Sequence, residues 1–145
     1  MSMTYTEIDQ GLIGKLRERR LRVTSQRLVI NRAIRAQPQH MTAEQVLDRV
    51  SDTLPGTSLP TIYATLELLE ELGLVRRLAA SRNGAVMFDS RVEPHAHTLC
   101  RRCGTIADLD GAPVSDRALS RAREAGFAAD HAQLMIWGLC ERCAG

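Results

Sequence analysis

The chain has no apolar run approaching the roughly 18 residues that span a bilayer, and its first ten residues, Met1 to Gln10, lack the basic-then-apolar order of a signal peptide. Neither a membrane partner nor export is expected, which points to the cytoplasm. Thiols are kept reduced there, so paired cysteines more often bind metal or do redox chemistry than form structural disulfides. Net charge is also scarce, only +2 over 145 residues. What is unusual is where acids are missing. Between Lys15 and Arg35 stand eight basic residues (Lys15, Arg17, Arg19, Arg20, Arg22, Arg27, Arg32, Arg35) against the single acid Glu18. Such a stretch suits a phosphate-facing surface, with Arg22 and Arg27 as candidate contacts, or a merely solvated helix face.

Periodicity predicts four short helices in succession. Ile8, Leu12 and Leu16 mark one over about 7–19, and Thr24 caps a second that carries Leu28, Val29, Ala33 and Ile34 and stops at Pro38. Thr42 opens a third with Gln45 as its capping-box partner, and Ser58 opens a fourth whose inner face runs Ile62, Leu66, Leu69, Leu72 before Gly73 ends it. Two strand-like runs follow, 74–78 and 85–88, with the hairpin signal Asn83-Gly84 between them. Helices followed by one hairpin predict a winged helix-turn-helix. The helix at 58–72 would then enter the major groove of DNA with Thr61, Tyr63, Ala64 and Thr65 outward. A surface helix of some other small bundle reads the same way.

Beyond residue 94 the pattern changes. Strands at 98–100 and 105–109, a helix at 113–125 and a continuous apolar strand at 134–139 make a small α/β unit, and that last strand calls for cover on both faces, as in a homodimer. The predicted class is α+β: a winged-helix DNA-binding domain at 1–90, a hinge at 91–94, and a dimerisation and zinc-binding domain at 95–145.

Cys100-x-x-Cys103 and Cys140-x-x-Cys143 can each wrap one edge of a tetrahedral ion, and four thiolates favour structural zinc. Thioredoxin-like redox pairs, which would make the chain a thiol oxidoreductase, and a reversible dithiol switch are the other uses of this motif. A second set is more dispersed. His95 and His97, two apart in an extended segment, can face one ion, with Asp89 six residues earlier and Asp108 on the neighbouring strand. By its residues alone His40 reads as an ordinary surface histidine before it reads as a ligand, and His131 does so more strongly still.

The segments 21–27 (LRVTSQR), 40–43 (HMTA), 58–66 (SLPTIYATL), 95–104 (HAHTLCRRCG) and 139–143 (LCERC) together resemble the ferric uptake regulator family of bacterial repressors over nearly the whole chain. The resemblance implies a homodimer that binds double-stranded palindromic operator DNA, has no enzymatic activity, and holds Zn2+ on the four cysteines. It also implies a regulatory metal, Fe2+ or Mn2+, that joins the two domains. In the peroxide-sensing branch the matching positions read His40, Asp89, His95, His97 and Asp108; if peroxide reaches iron(II) held there, His40 or His95 is the ring expected to be oxidised. The aspartate at 108 is the mark of that branch, since relatives that sense iron or zinc supply commonly have glutamate there. One departure is Ala64, which follows Tyr63 where members often have arginine or asparagine, so base contacts do not carry over. Three imidazoles and two carboxylates suit iron(II) or manganese(II) and leave room for an open coordination position.

Overall fold

The computed structural model describes residues 3–36, 40–78, 84–111 and 116–145. The expected stop at Pro38, the turn residue Asn83 and the first residues of the helix expected from 113 lie outside them. The chain divides into two compact units, Met1–Arg77 with Val86–Val92, and Leu78–Ala85 with Glu93–Gly145. No described helix is long and apolar enough to cross a membrane.

The first unit is built on four helices, α1 (Tyr5–Glu18), α2 (Ser25–Arg35), α3 (Ala43–Val50) and α4 (Leu59–Glu71). Each begins where a hydroxyl can take an orphan backbone N–H. Thr4 and Thr42 form reciprocal capping boxes with Glu7 and Gln45, while Thr24 and Ser58 accept from the amides of Arg27 and Thr61. The buried stripes meet in one core that includes Leu12, Leu16, Ile30, Ile34, Val46, Val50, Ile62, Leu66 and Leu69, closed by Phe88. Polar ties fix the helices laterally. Arg32 grips Asp9 with both Nε (2.8 Å) and Nη2, and Arg35 bonds Asn31 and the Leu74 carbonyl.

A small antiparallel sheet completes this unit, with β3 (Met87–Asp89) between β1 (His40–Thr42) and β2 (Arg76–Arg77). Only the β2–β3 pairing was expected, and both strands are shorter than the apolar runs suggest. The added strand β1 places His40 directly across from Asp89.

In the second unit β4 (Ala96–Cys100) lies between β5 (Ile106–Leu109), antiparallel to it, and β6 (Leu134–Gly138), parallel to it; α5 (Asp116–Glu124) makes the crossover and the single turn α6 (Glu141–Ala144) follows. The pleat puts His97, Leu99, Ile106, Asp108, Met135 and Trp137 on one face and Thr98, Ala107 and Ile136 on the other. Within one chain the last strand lacks the partner cover that its composition calls for. β6 is an edge strand, only its Met135 is buried, and Leu134, Ile136 and Trp137 stay exposed, as does Leu139 just beyond it.

Candidate functional site

In the second unit the four cysteines converge. Their sulfurs lie within 4.8 Å of one another, with Cys103 Sγ and Cys140 Sγ 3.7 Å apart. Sulfurs of a zinc tetrathiolate, with Zn–S bonds of about 2.3 Å, stand roughly 3.8 Å apart, so the fit is close. The local chain explains the convergence. Cys100 ends β4, the turn closed by the Gly104 N–H on the Cys100 carbonyl brings Cys103 back, and Cys140 caps α6 so that Cys143 returns one turn later. Arg102 donates to the Cys143 carbonyl at 2.7 Å and ties the two knuckles together.

Electrostatically these thiols are not equivalent. Hydrogen bonds from the backbone at Cys103 and Cys140 pull the Cys100 thiol down to about 5, and the Thr105 hydroxyl, 3.1 Å from Cys103 Sγ, lowers that thiol. Cys143 is pushed up to about 12, first by its hydrogen bond with Cys140. Sulfurs this close cannot all be anions without a cation among them, and a divalent soft ion resolves that conflict.

The histidines and aspartates form two groups, one in each unit. In the first unit His40 Nε2 lies 3.4 Å from Asp89 Oδ2; Asp89 is buried and its other oxygen accepts from the Arg91 amide at 2.8 Å. In the second unit His95 Nε2 and His97 Nε2 both approach Asp108 Oδ1, at 3.1 and 3.4 Å. The two imidazoles are buried, with ring centroids 4.2 Å apart.

One contact settles a tautomer. His95 Nδ1 lies 2.7 Å from the Glu93 carbonyl oxygen, which can only accept, so Nδ1 carries the proton. In the neutral ring Nε2 then presents a lone pair toward a carboxylate oxygen. Two acceptors face each other, an arrangement that needs a proton or a cation between them, and an N–H anchored on a carbonyl is the usual support of a metal-ligating imidazole.

The candidate DNA residues fare unevenly. α4 exposes Ala64 and leaves Thr61 and Tyr63 half-buried, but Thr65 is only 7% exposed, packed inward with Ile62, Leu66 and Leu69. Its expected outward position is therefore corrected: three residues past Ile62, it falls on the inner face of the helix. In the basic stretch, Arg19 bonds the Glu71 carbonyl, Arg27 the Arg22 carbonyl, Arg32 Asp9, and Arg35 Asn31, so half of that charge braces the fold. Arg17, Arg20 and Arg22 are exposed. His131 is exposed as well and joins neither donor group.

Sequence reasoning missed the Glu93 carbonyl and Thr105. A carbonyl leaves no mark in a sequence, while Thr105 was visible two residues after Cys103 but read only as the start of a strand.

The family model for ferric uptake regulators matches residues 18–137. The chain belongs to the ferric uptake regulator family. It is a metal-dependent transcriptional regulator and not an enzyme, which sets aside the thiol-oxidoreductase reading of the cysteines. The transcriptional regulator FurA of Mycobacterium tuberculosis is 37% identical over 131 residues, 90% of this chain and 88% of that protein. The peroxide-responsive repressor PerR of Staphylococcus epidermidis is 29% identical over 146 residues, 99% of this chain and 97% of that one. Among solved structures, a zinc uptake regulator complexed with zinc and DNA shares the fold, with a TM-score of 0.69, 26% identity, and coverage of 99% of this chain and 97% of that one.

Proposed function

We propose that this ferric uptake regulator family member is a homodimeric repressor of palindromic operator DNA, gated by iron(II) or manganese(II) and released from DNA by hydrogen peroxide. The observation that carries the reading is the paired donor groups, His40 with Asp89 in one unit and His95 with His97 and Asp108 in the other. Shared by a single ion, they make a mixed nitrogen and oxygen set suited to these metals. Only five residues separate Asp89 from His95, so one short segment can supply ligands from both groups.

The residues divide the work. Asp89 and Asp108 supply negative charge, His95 is fixed by the Glu93 carbonyl, and His40 carries the ligation into the unit that bears α4. By holding His40, the ligand set favours one interdomain arrangement, and DNA affinity follows that population. Bound iron(II) would supply the redox chemistry by which peroxide is reduced to water as one oxygen is added to the His40 or His95 ring. An oxidised ring is a poorer ligand, and the arrangement is lost.

The cysteine cluster is assigned to structural zinc. Exposed Leu134, Ile136, Trp137 and Leu139 at edge strand β6 support a second copy as their cover. Localisation in the cytoplasm goes with this role. A second reading, supply sensing of iron or manganese without peroxide chemistry, draws on the FurA likeness as the first draws on PerR.

Mass spectrometry of iron-loaded and manganese-loaded protein after peroxide, beside gel shifts, separates the two. Added oxygen on His40 or His95 with loss of DNA binding, in the iron form alone, is expected. Unmodified histidines and unchanged binding would favour supply sensing.

A further inference from the structure

Three helices of this chain end in the same backbone device, in which the second residue past the end of the helix turns left-handed and the amide after it reaches back to the last turn. After α4 the left-handed residue is Gly73 (φ 73°), with Leu74 N–H on the Leu69 carbonyl, and after α5 it is Gly126 (φ 87°), with Phe127 N–H on the Ala122 carbonyl. After α1 the bonds are the same, Leu21 N–H on the Leu16 carbonyl at 2.8 Å and Arg20 N–H on the Arg17 carbonyl at 3.0 Å. The left-handed residue there is Arg20, at φ 58°, the one described residue other than glycine with positive φ.

A β-carbon in that conformation crowds the following carbonyl, so the arginine stands where the turn itself favours glycine. Packing does not account for it. The side chain is exposed and has no hydrogen bond or ion pair among the described residues. Its position has a direction, however. Leu21 packs against the core of the first unit, so Arg20 and Arg22 on either side of it are left at the surface, and Arg17 is exposed one turn back. Arg27 Nη1 holds the Arg22 carbonyl at 2.5 Å and keeps this loop against the start of α2.

We infer that Arg20 is a phosphate-contacting residue, kept in a left-handed conformation because the tight turn presents its guanidinium beside that of Arg22 toward a nucleic-acid backbone. This rests on the DNA-binding reading above and adds a residue to it. A phosphate contact carries no base information, so Arg20 would add affinity and salt dependence equally on any duplex.

The test uses full-length metal-loaded protein and mixed-sequence double-stranded DNA across a salt series, with Arg20→Lys, Arg20→Ala and Arg20→Gly. Arg20→Lys should keep the wild-type salt slope. Arg20→Ala and Arg20→Gly should both flatten it, by about 0.9 for each Arg20 engaged, and weaken binding several-fold. Arg20→Gly alone should melt at a higher temperature, which separates lost charge from a damaged fold. Arg117→Ala, on exposed α5, should leave the slope unchanged. A wild-type slope in both the Ala and Gly variants overturns the inference while leaving the DNA reading intact. Absence of salt-dependent binding by the unsubstituted protein overturns both.

Discussion

His97 on β4 stands directly across from Asp108 on β5, with Nε2 3.4 Å from a carboxylate oxygen that His95 Nε2 also approaches at 3.1 Å. A single oxygen thus organises two buried imidazoles. Asp108→Ala would remove it and leave the rings facing each other without a counter-charge. Changing only a residue that orients a metal ligand typically costs 10- to 100-fold in affinity. Losing Asp108 itself should weaken manganese(II) binding by more than about 100-fold, while zinc content stays at one per chain. Titration calorimetry with elemental analysis checks both halves, and unchanged manganese affinity would exclude Asp108 from the regulatory site.

The cysteine cluster should behave as a fold element. Removing a structural zinc from a small module forfeits on the order of 10 kcal/mol, comparable with the whole stability of an ordinary domain. The single tryptophan, Trp137, lies on β6, three residues before Cys140, and reports on that unit alone. Exposed in the single chain, its ring would be covered by the proposed second copy, so in Cys140→Ser its emission should shift to that of unfolded protein, while much of the helical circular dichroism survives, because α1 to α4 have their own core. Simultaneous loss of both signals would show that the first unit depends on the second.

Much of this arrangement was open to inspection in the sequence because local chemistry announces it. Thr24, Thr42 and Ser58 are side chains that compete for backbone amides, and each caps the helix expected of it. The Cys-x-x-Cys spacing is likewise a local signal. What stayed hidden depends on pairing at long range. His40–Thr42 is three residues with no alternation to read, and becomes a strand only because β3 lies beside it. Likewise β6 looks like a buried strand by composition, and only its edge position leaves Ile136 and Trp137 uncovered. The left-handed turn at Arg20 was hidden for the opposite reason, since its residue type argues against it.

Acid should loosen the first unit through Asp9. Hydrogen bonds from Arg32 hold its carboxyl below the usual value, so the folded form binds that proton less readily than the unfolded chain. The stabilisation is complete above the unfolded value of about 3.9 and is lost as pH falls through the lower folded one. Asp9→Asn should cost about 1 kcal/mol at neutral pH, since Arg32 is partly exposed. It should also cost much less at about pH 3, nearer the range where Asp9 itself takes up a proton. Urea unfolding at both pH values measures the difference, and an equal cost at each would remove the pair from the acid response.

Core damage should reach the metal ligands through Phe88. The ring is fully buried, lies 5.4 Å from the Arg77 guanidinium, and immediately precedes Asp89 on the central strand of its sheet. Phe88→Ala should cost about 3 to 5 kcal/mol and weaken manganese(II) binding as the strand opposite His40 loosens. If stability falls in denaturant melts but metal affinity holds, the Asp89 position is fixed by its contact with the Arg91 amide rather than by the core.

The inward turn of Thr65 separates two readings of α4. If its hydroxyl reached DNA, Thr65→Ala would weaken binding as a change at Thr61 or Tyr63 should. The residue is 7% exposed and lies on the same face as Ile62 and Leu69, so no groove can reach it. Replacing it with alanine deletes a buried hydroxyl and methyl, which should shift stability by about 1 kcal/mol in the unfolding curve and leave DNA affinity within about twofold. Tyr63→Ala, with the ring half at the surface, should lower affinity further. A large affinity loss in Thr65→Ala with a native melting curve would mean that α4 rotates when it meets DNA.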